Sequence, residues 1–196
     1  MRRKDQCKKI LSVSIDLISQ KGFNGISFQE FGDKTRLHKS SLFHYFKSNE
    51  ELLFRILERW FDKFYDNFQE IIGNHEVRPE EKLRKAVDNH LTLLVEYRAN
   101  VNIFLNELRS LSRKHQKMHL MKIKKYEKDF EKIIVEMKTE GYFNGLDSKI
   151  VGFGILGMLN WVSRWVESSG RLAIKEISDI FYRMVTKKNS TFPLAS

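Results

Sequence analysis

The 196-residue chain has a single cysteine, Cys7. One thiol excludes a disulfide framework and a cysteine-based metal centre. There are only two prolines, Pro79 and Pro193, so little in the chain interrupts long helices. The longest apolar stretch, Ile150 to Val162, is shorter than the ~18–20 residues a membrane helix needs, and Asn160 interrupts it. The basic start, MRRKDQCKK, has no apolar signal core after it. A cytoplasmic protein with no membrane partner is the expectation. Glycine-rich phosphate loops, G-x-S-x-G elbows and paired zinc motifs are all missing. His115 and His119 are spaced i,i+4 but lack a third ligand. No catalytic residue, metal site or bound cofactor is expected, and the chain reads as a non-enzyme.

Acidic residues are in short supply as well. Lys and Arg number 35 against 25 Asp and Glu, a formal charge of +10 and a pI near 9.6. Residues 1–47 carry ten basic and four acidic side chains, so six of the ten net charges lie in the first quarter. Such a balance favours polyanionic partners.

What is present is helical periodicity. The spacing predicts a first helix over about 4–21, with Leu11, Ile15 and Ile18 on one stripe and Gly22 as its stop. Ser27 with Glu30 makes a capping-box pattern that opens a second helix. A third covers about 38–45. Ser48 with Glu51 repeats the pattern and opens a long fourth helix to about Ile72, rich in large apolar residues including Trp60, Phe61 and Phe64. Pro79, Glu80 and Glu81 suit a first turn. Further helices are expected over about 79–97, 101–111, 113–140, 147–168 (capped by Asp147) and 174–187. The fold class is all-α with about nine helices: an N-terminal three-helix helix-turn-helix bundle (1–47) and a larger C-terminal helical domain (48–196), with helix 48–72 connecting them.

The segment Ser27 to Phe46, SFQEFGDKTRLHKSSLFHYF, is the most informative. Two short helices meet at a tight turn, and the second carries Lys39, Ser40 and Ser41. A helix that packs one face on a core and offers the other to phosphates and base edges has this composition. DNA binding is the leading reading.

Together, K-G-F at 21–23, S-F-Q-E at 27–30, L-H-K-S-S-L-F-H-Y-F at 37–46 and S-N-E-E-L at 48–52 resemble the TetR family of bacterial transcriptional regulators. The resemblance implies a homodimer, with the last two long helices (about 147–168 and 174–187) forming the seam, paired units on a palindromic operator, and a ligand pocket in the larger domain. Where that family favours glycine, between the second and third helices, this chain has Arg36. Its DNA-binding positions map onto Ser27, Arg36, His38, Lys39, Ser40, Ser41, Phe43, His44, Tyr45 and Lys47. Lys39 and His44 suit phosphates, Lys39 alternatively guanine. Tyr45 resembles a phosphate-contacting position, and Ser27 one where a helix N-terminus meets a phosphate. Leu42 and Phe46 are expected in the core; Phe43 is open between core and phosphate side.

A second segment, G157-M-L-N-W-V-S-R-W-V-E-S-S-G-R-L172, resembles the G-M-x-N-W-x-x-R-W stretch of the acyl-CoA-responsive branch of that family, linked to fatty-acid and sterol catabolism. The resemblance implies a ligand site drawing on Trp60, Phe64, Phe104, Trp161, Arg164 and Trp165. Trp161, Arg164 and Trp165 serve equally well as packing in a dimer seam, and the basic run from Arg113 to Lys128 as an ordinary solvated face. The expected function is a ligand-responsive dimeric repressor, released by a small lipophilic effector such as an acyl-CoA thioester. The alternatives are a regulator of the same type answering an unrelated lipophilic or aromatic compound, and a non-specific, charge-driven DNA- or membrane-surface-binding protein.

Overall fold

The computed structural model describes residues 3–167 and 170–186; the side chains of Arg3, Lys4, Phe28 and Lys39 fall outside that description, as do Met1, Arg2, Ser168, Ser169 and residues 187–196. Nine α-helices and no strand occur among the described residues: α1 (Arg3–Lys21), α2 (Phe28–Thr35), α3 (Lys39–Phe43), α4 (Asn49–Gly73), α5 (Pro79–Glu96), α6 (Arg98–Glu107), α7 (Arg113–Thr139), α8 (Ser148–Trp165) and α9 (Ile174–Thr186). Short 3₁₀ turns follow α1 (Phe23–Gly25) and α6 (Leu108–Ser110). No described helix is long and apolar enough to cross a membrane.

The chain divides into two compact units, Met1–Phe64 with Tyr97–Ile123, and Tyr65–Glu96 with Lys124–Ser196. Helices α4 and α7 contribute to both. In the first unit, Ile10, Leu11, Leu17 and Ile18 of α1 meet Phe31, Leu42 and Phe46, and the same cluster takes in Leu52, Leu53, Phe54, Ile56 and Leu57 of α4 and Ile103 of α6. The first three helices therefore share their core with α4 and α6. In the second unit, Phe68 meets the Tyr126 ring edge-on at 4.7 Å and stacks with Phe130 at 6.1 Å. Leu83, Val87, Leu91, Ile133, Ile134, Ile155, Leu159 and Val162 are buried in that unit.

Side-chain caps set several helix starts. The Ser27 hydroxyl accepts from the Glu30 amide at 3.2 Å, and the Glu30 carboxylate accepts from the Ser27 amide at 2.9 Å, which completes the expected box. At the second site, Ser48 Oγ accepts from the Glu51 amide at 3.1 Å, but the Glu51 carboxylate accepts from the Lys47 amide at 2.8 Å, one residue earlier than a capping box requires. Asp147 caps α8 through the Ile150 amide at 3.0 Å. Helix α8 ends at Trp165, short of Ser168, because Val166 is extended (φ −68°, ψ 135°).

Candidate functional site

Helix α3 is pinned from below by Leu42 and Phe46, which are fully and almost fully buried. The other side of this short segment presents His38, Ser40, His44 and Lys47 as exposed residues, with Ser41 and Tyr45 half-buried. Phe43 is 48% exposed, which separates it from the core. The side chain of Lys39 lies outside the described residues. Arg36 terminates α2 in the left-handed region (φ 57°, ψ 39°), with its amide donating to Asp33 O at 3.3 Å and the Leu37 amide to Gly32 O at 2.9 Å. The Thr35 hydroxyl donates to Phe31 O at 2.6 Å and closes the same turn. That backbone suits glycine better than a residue with a Cβ, so the turn holds its shape against a local cost and places an exposed guanidinium beside α3. At the start of α2, Lys21 Nζ meets Glu30 at 2.8 Å. This bond and the Ser27 amide keep the Glu30 carboxyl below its ordinary value.

Two carboxylates that the sequence reading missed tie the segment after α1 to α6, and the start of α4 to the start of α7. Glu107, at the end of α6, accepts from the Phe23 amide at 3.0 Å and from the Ser110 hydroxyl at 2.9 Å. Glu50, at the start of α4, accepts from the Ser112 amide at 2.8 Å and faces His115 Nδ1 at 2.7 Å. The Ser112 amide, and then His115, hold the Glu50 carboxyl low. The His115 ring stacks on Phe54 with centroids 3.9 Å apart. His115 is thus committed to Glu50 and Phe54, and no group of three or more metal-ligating side chains occurs among the described residues.

Of the expected effector residues, Trp60, Phe64 and Phe104 come together in the first unit. Trp60 lies 5.8 Å from Phe64 and 5.5 Å from Phe104. His119 joins them, 6.3 Å from Phe104 and 5.4 Å from Phe54, both edge-on. A cleft of about 360 Å³ opens beside this cluster, lined by Lys8, Asp16, Arg59, Trp60, Lys63 and Tyr97 among others. Lys63 donates to the Tyr97 hydroxyl and its Nζ stands 4.6 Å from that ring centroid. In the basic run of α7, Lys122 is held by Glu58 (3.0 Å) and Asp62 (2.6 Å) of α4.

Trp161, Arg164 and Trp165 lie in the second unit, on an exposed face of α8. Trp161 is 66% and Trp165 47% exposed, and Ile150 and Phe153 share this exposure; Ile180 and Met184 do so on α9. A Cβ built on Gly154 or Gly157 would meet nothing within 4 Å, whereas one on Gly152 would touch Phe130 and Ile134 at 3.9–4.0 Å. Two of the three glycines thus leave room on the open face. Asn160, within the same motif, is also exposed, yet its side chain reaches a buried group. Its Oδ1 accepts from His90 Nε2 at 3.1 Å, while His90 Nδ1 takes the Tyr126 hydroxyl at 2.9 Å. Asn160 has no N–H at Oδ1, so the His90 proton is on Nε2. Burial pushes His90 down to about 4 and Tyr126 well up.

Several known proteins share this plan. Residues 10–56 match the family model described as bacterial regulatory proteins, tetR family, and residues 76–188 the model described as tetracyclin repressor-like, C-terminal domain. The chain is similar to the HTH-type transcriptional repressor KstR2 of Mycolicibacterium smegmatis, 23% identical over 90% of this chain and 87% of that protein. It resembles the crystal structure of AibR in complex with isovaleryl coenzyme A and operator DNA, with a TM-score of 0.82 and 26% identity, covering 92% of this chain and 98% of that one. The fold is also that of PfmR from Thermus thermophilus, TM-score 0.83 at 24% identity, covering 91% and 97%.

Proposed function

The chain belongs to the tetR family of bacterial regulatory proteins, and on that premise we propose that it is a dimeric transcriptional repressor that leaves a palindromic operator when an acyl-coenzyme A effector binds. Residues 1–47 read DNA and residues 48–196 bind ligand and dimerise, with helix 48–72 between them. A regulator of this kind works in the cytoplasm and carries out no chemistry on its effector.

The observation that carries the reading is the two-sided α3 segment. Leu42 and Phe46 are buried while His38, Ser40, His44 and Lys47 are exposed. Short hydroxyls and cations on a face held rigidly from behind are what groove entry and phosphate contact require. Ser27, Arg36, Ser41, Phe43 and Tyr45 flank that face, and Lys39 belongs to it by its place in the sequence. The exposed apolar faces of α8 and α9 support a seam with a second copy, since patches of this kind mark association surfaces. Isovaleryl coenzyme A, the ligand of the 26%-identical AibR structure, supports an acyl thioester as effector. The aromatic lining around Trp60 also suits a plain aromatic compound, which is the second reading.

The test is a mobility-shift titration with the DNA flanking the protein's own gene against a scrambled duplex at physiological salt. A specificity ratio of at least ~10³ is expected. Equal affinity for both duplexes, with steep salt dependence, supports charge-driven coating instead.

A further inference from the structure

The chain buries two histidines in different ways. His90 has a partner on each ring nitrogen. His119 is 1% exposed, and neither of its nitrogens has a hydrogen-bond partner among the described residues. Trp60 Nε1 is buried in the same condition. Both rings pack against Phe104, at 5.5 and 6.3 Å. Three orphaned polar atoms therefore lie in one packed aromatic cluster formed by side chains of α4, α6 and α7. Each gives up its bond to water without a partner among the described residues, a situation folded proteins keep rare and associate with function.

The chemistry of these atoms narrows what satisfies them. Burial, then the nearby Lys122, pulls His119 below its ordinary value, against Glu58 and Asp62, which pull it upward. A neutral imidazole offers one N–H and one acceptor nitrogen, and the indole adds a second N–H. The complement is an uncharged group with at least two acceptors and one donor on an apolar body. A free carboxylate or phosphate would bring an unpaired charge among the phenylalanines. The adjoining cleft differs: Lys8, Arg59 and Lys63 outnumber Asp16 along its lining, and Trp60 belongs to both the cleft and the aromatic cluster. An acyl-coenzyme A has this division, with a thioester carbonyl and amide groups at one end and phosphates at the other.

We propose that Trp60 and His119 are the polar contacts of the effector site, receiving the thioester and neighbouring amide of an acyl-coenzyme A whose acyl group lies among Phe54, Phe64 and Phe104. This rests on the effector reading above and adds to it the recognising atoms, including a residue on α7 that the sequence offered only as half of an i,i+4 histidine pair.

The test uses the full chain and isovaleryl coenzyme A as probe. His119→Phe removes two orphaned atoms at similar volume. The free variant should melt no lower than the parent, yet bind the probe about 10-fold more weakly for each hydrogen bond lost. Trp60→Phe should weaken binding about 10-fold as well. In the ¹⁵N-indole spectrum, the Trp60 resonance, identified by its loss in Trp60→Phe, should shift on saturation. Parental affinity in both variants, with an unmoved indole resonance, overturns the assignment and leaves the effector reading standing. Failure of the parent chain to bind the probe at all removes both.

Discussion

Asn160→Leu isolates the contribution of a motif residue that is itself exposed but bonds a buried ring. Leucine matches asparagine in branching and heavy-atom number but cannot accept from His90 Nε2. The hydrogen bond lost is 3.1 Å long, and its donor sits on a buried ring. Orphaning such an N–H costs about 1–3 kcal/mol. Asn160 itself is an exposed residue, so water has some access from its side, and the lower part of that range, about 1–2 kcal/mol, is expected. For a chain of this size that corresponds to a fall in Tm of roughly 2–8 °C, read by calorimetry or near-UV circular dichroism. Operator affinity of the folded variant should stay within about twofold, since Asn160 belongs to the second unit and the DNA-reading residues to the first. The triple variant His90→Leu, Tyr126→Phe, Asn160→Leu removes the side-chain polar atoms of both hydrogen bonds together and should recover part of the lost stability. An unchanged Tm in Asn160→Leu would refute the reasoning, as would a triple variant less stable than all three single substitutions combined.

Stability should also depend on pH through His90. The folded form holds the ring neutral, at a pKa of about 4, while the unfolded chain protonates it near 6.5. The contribution is complete above about pH 6.5 and is lost as pH falls toward 4, up to about 3 kcal/mol; His90→Phe should flatten that limb of a urea-denaturation series. Arg36→Gly relieves the left-handed backbone and should raise stability by about 0.5–1 kcal/mol, while lowering operator affinity and reducing the salt slope by about 0.9 for one lost phosphate contact; unchanged salt dependence would show that Arg36 does not touch DNA. Ile150→Glu and Met184→Glu place charges on residues 66% and 62% exposed, so the subunit should fold normally while sedimentation shows a monomer. Ser27→Ala breaks the cap on α2 and should cost about 1 kcal/mol, visible as a lowered urea midpoint.

Much of the fold is written in local signals. Ser27 with Glu30 and Asp147 at the head of α8 are cap residues whose partners lie three positions away, so a sequence displays them whole. The buried pair Leu42 and Phe46 follows from helical spacing. Boundaries without such signals shift. The apolar spacing starts the sixth helix at residue 101, but α6 begins at Arg98, where Tyr97 (φ −108°, ψ 33°) breaks the chain without a side-chain cap. The effector residues are legible unevenly: Trp60 and Phe64 are one turn apart on α4 and share a face by periodicity, and Phe104 joins them through tertiary packing. Pairings between distant segments leave no pattern to read. Glu107 finds the Phe23 amide 84 residues away, and His90 finds Asn160 at a separation of 70. Asn160 carries the one hint, a lone polar residue inside a strongly apolar stretch. His119 shows in the sequence only as a histidine spaced i,i+4 from His115; what sets it apart is the lack of a hydrogen-bond partner among the described residues.

The measurement that bears most directly on the proposed function is selection of bound duplexes from a random DNA pool by the full chain, followed by challenge of the selected complex with isovaleryl coenzyme A. An inverted repeat should emerge, with half-sites about one helical turn (~10 bp) apart or a multiple of it, and the acyl thioester should release the protein from it. Recovery of unrelated sequences without a shared motif would contradict a sequence-reading dimer, and a shared motif whose complex ignores every acyl thioester would contradict the effector.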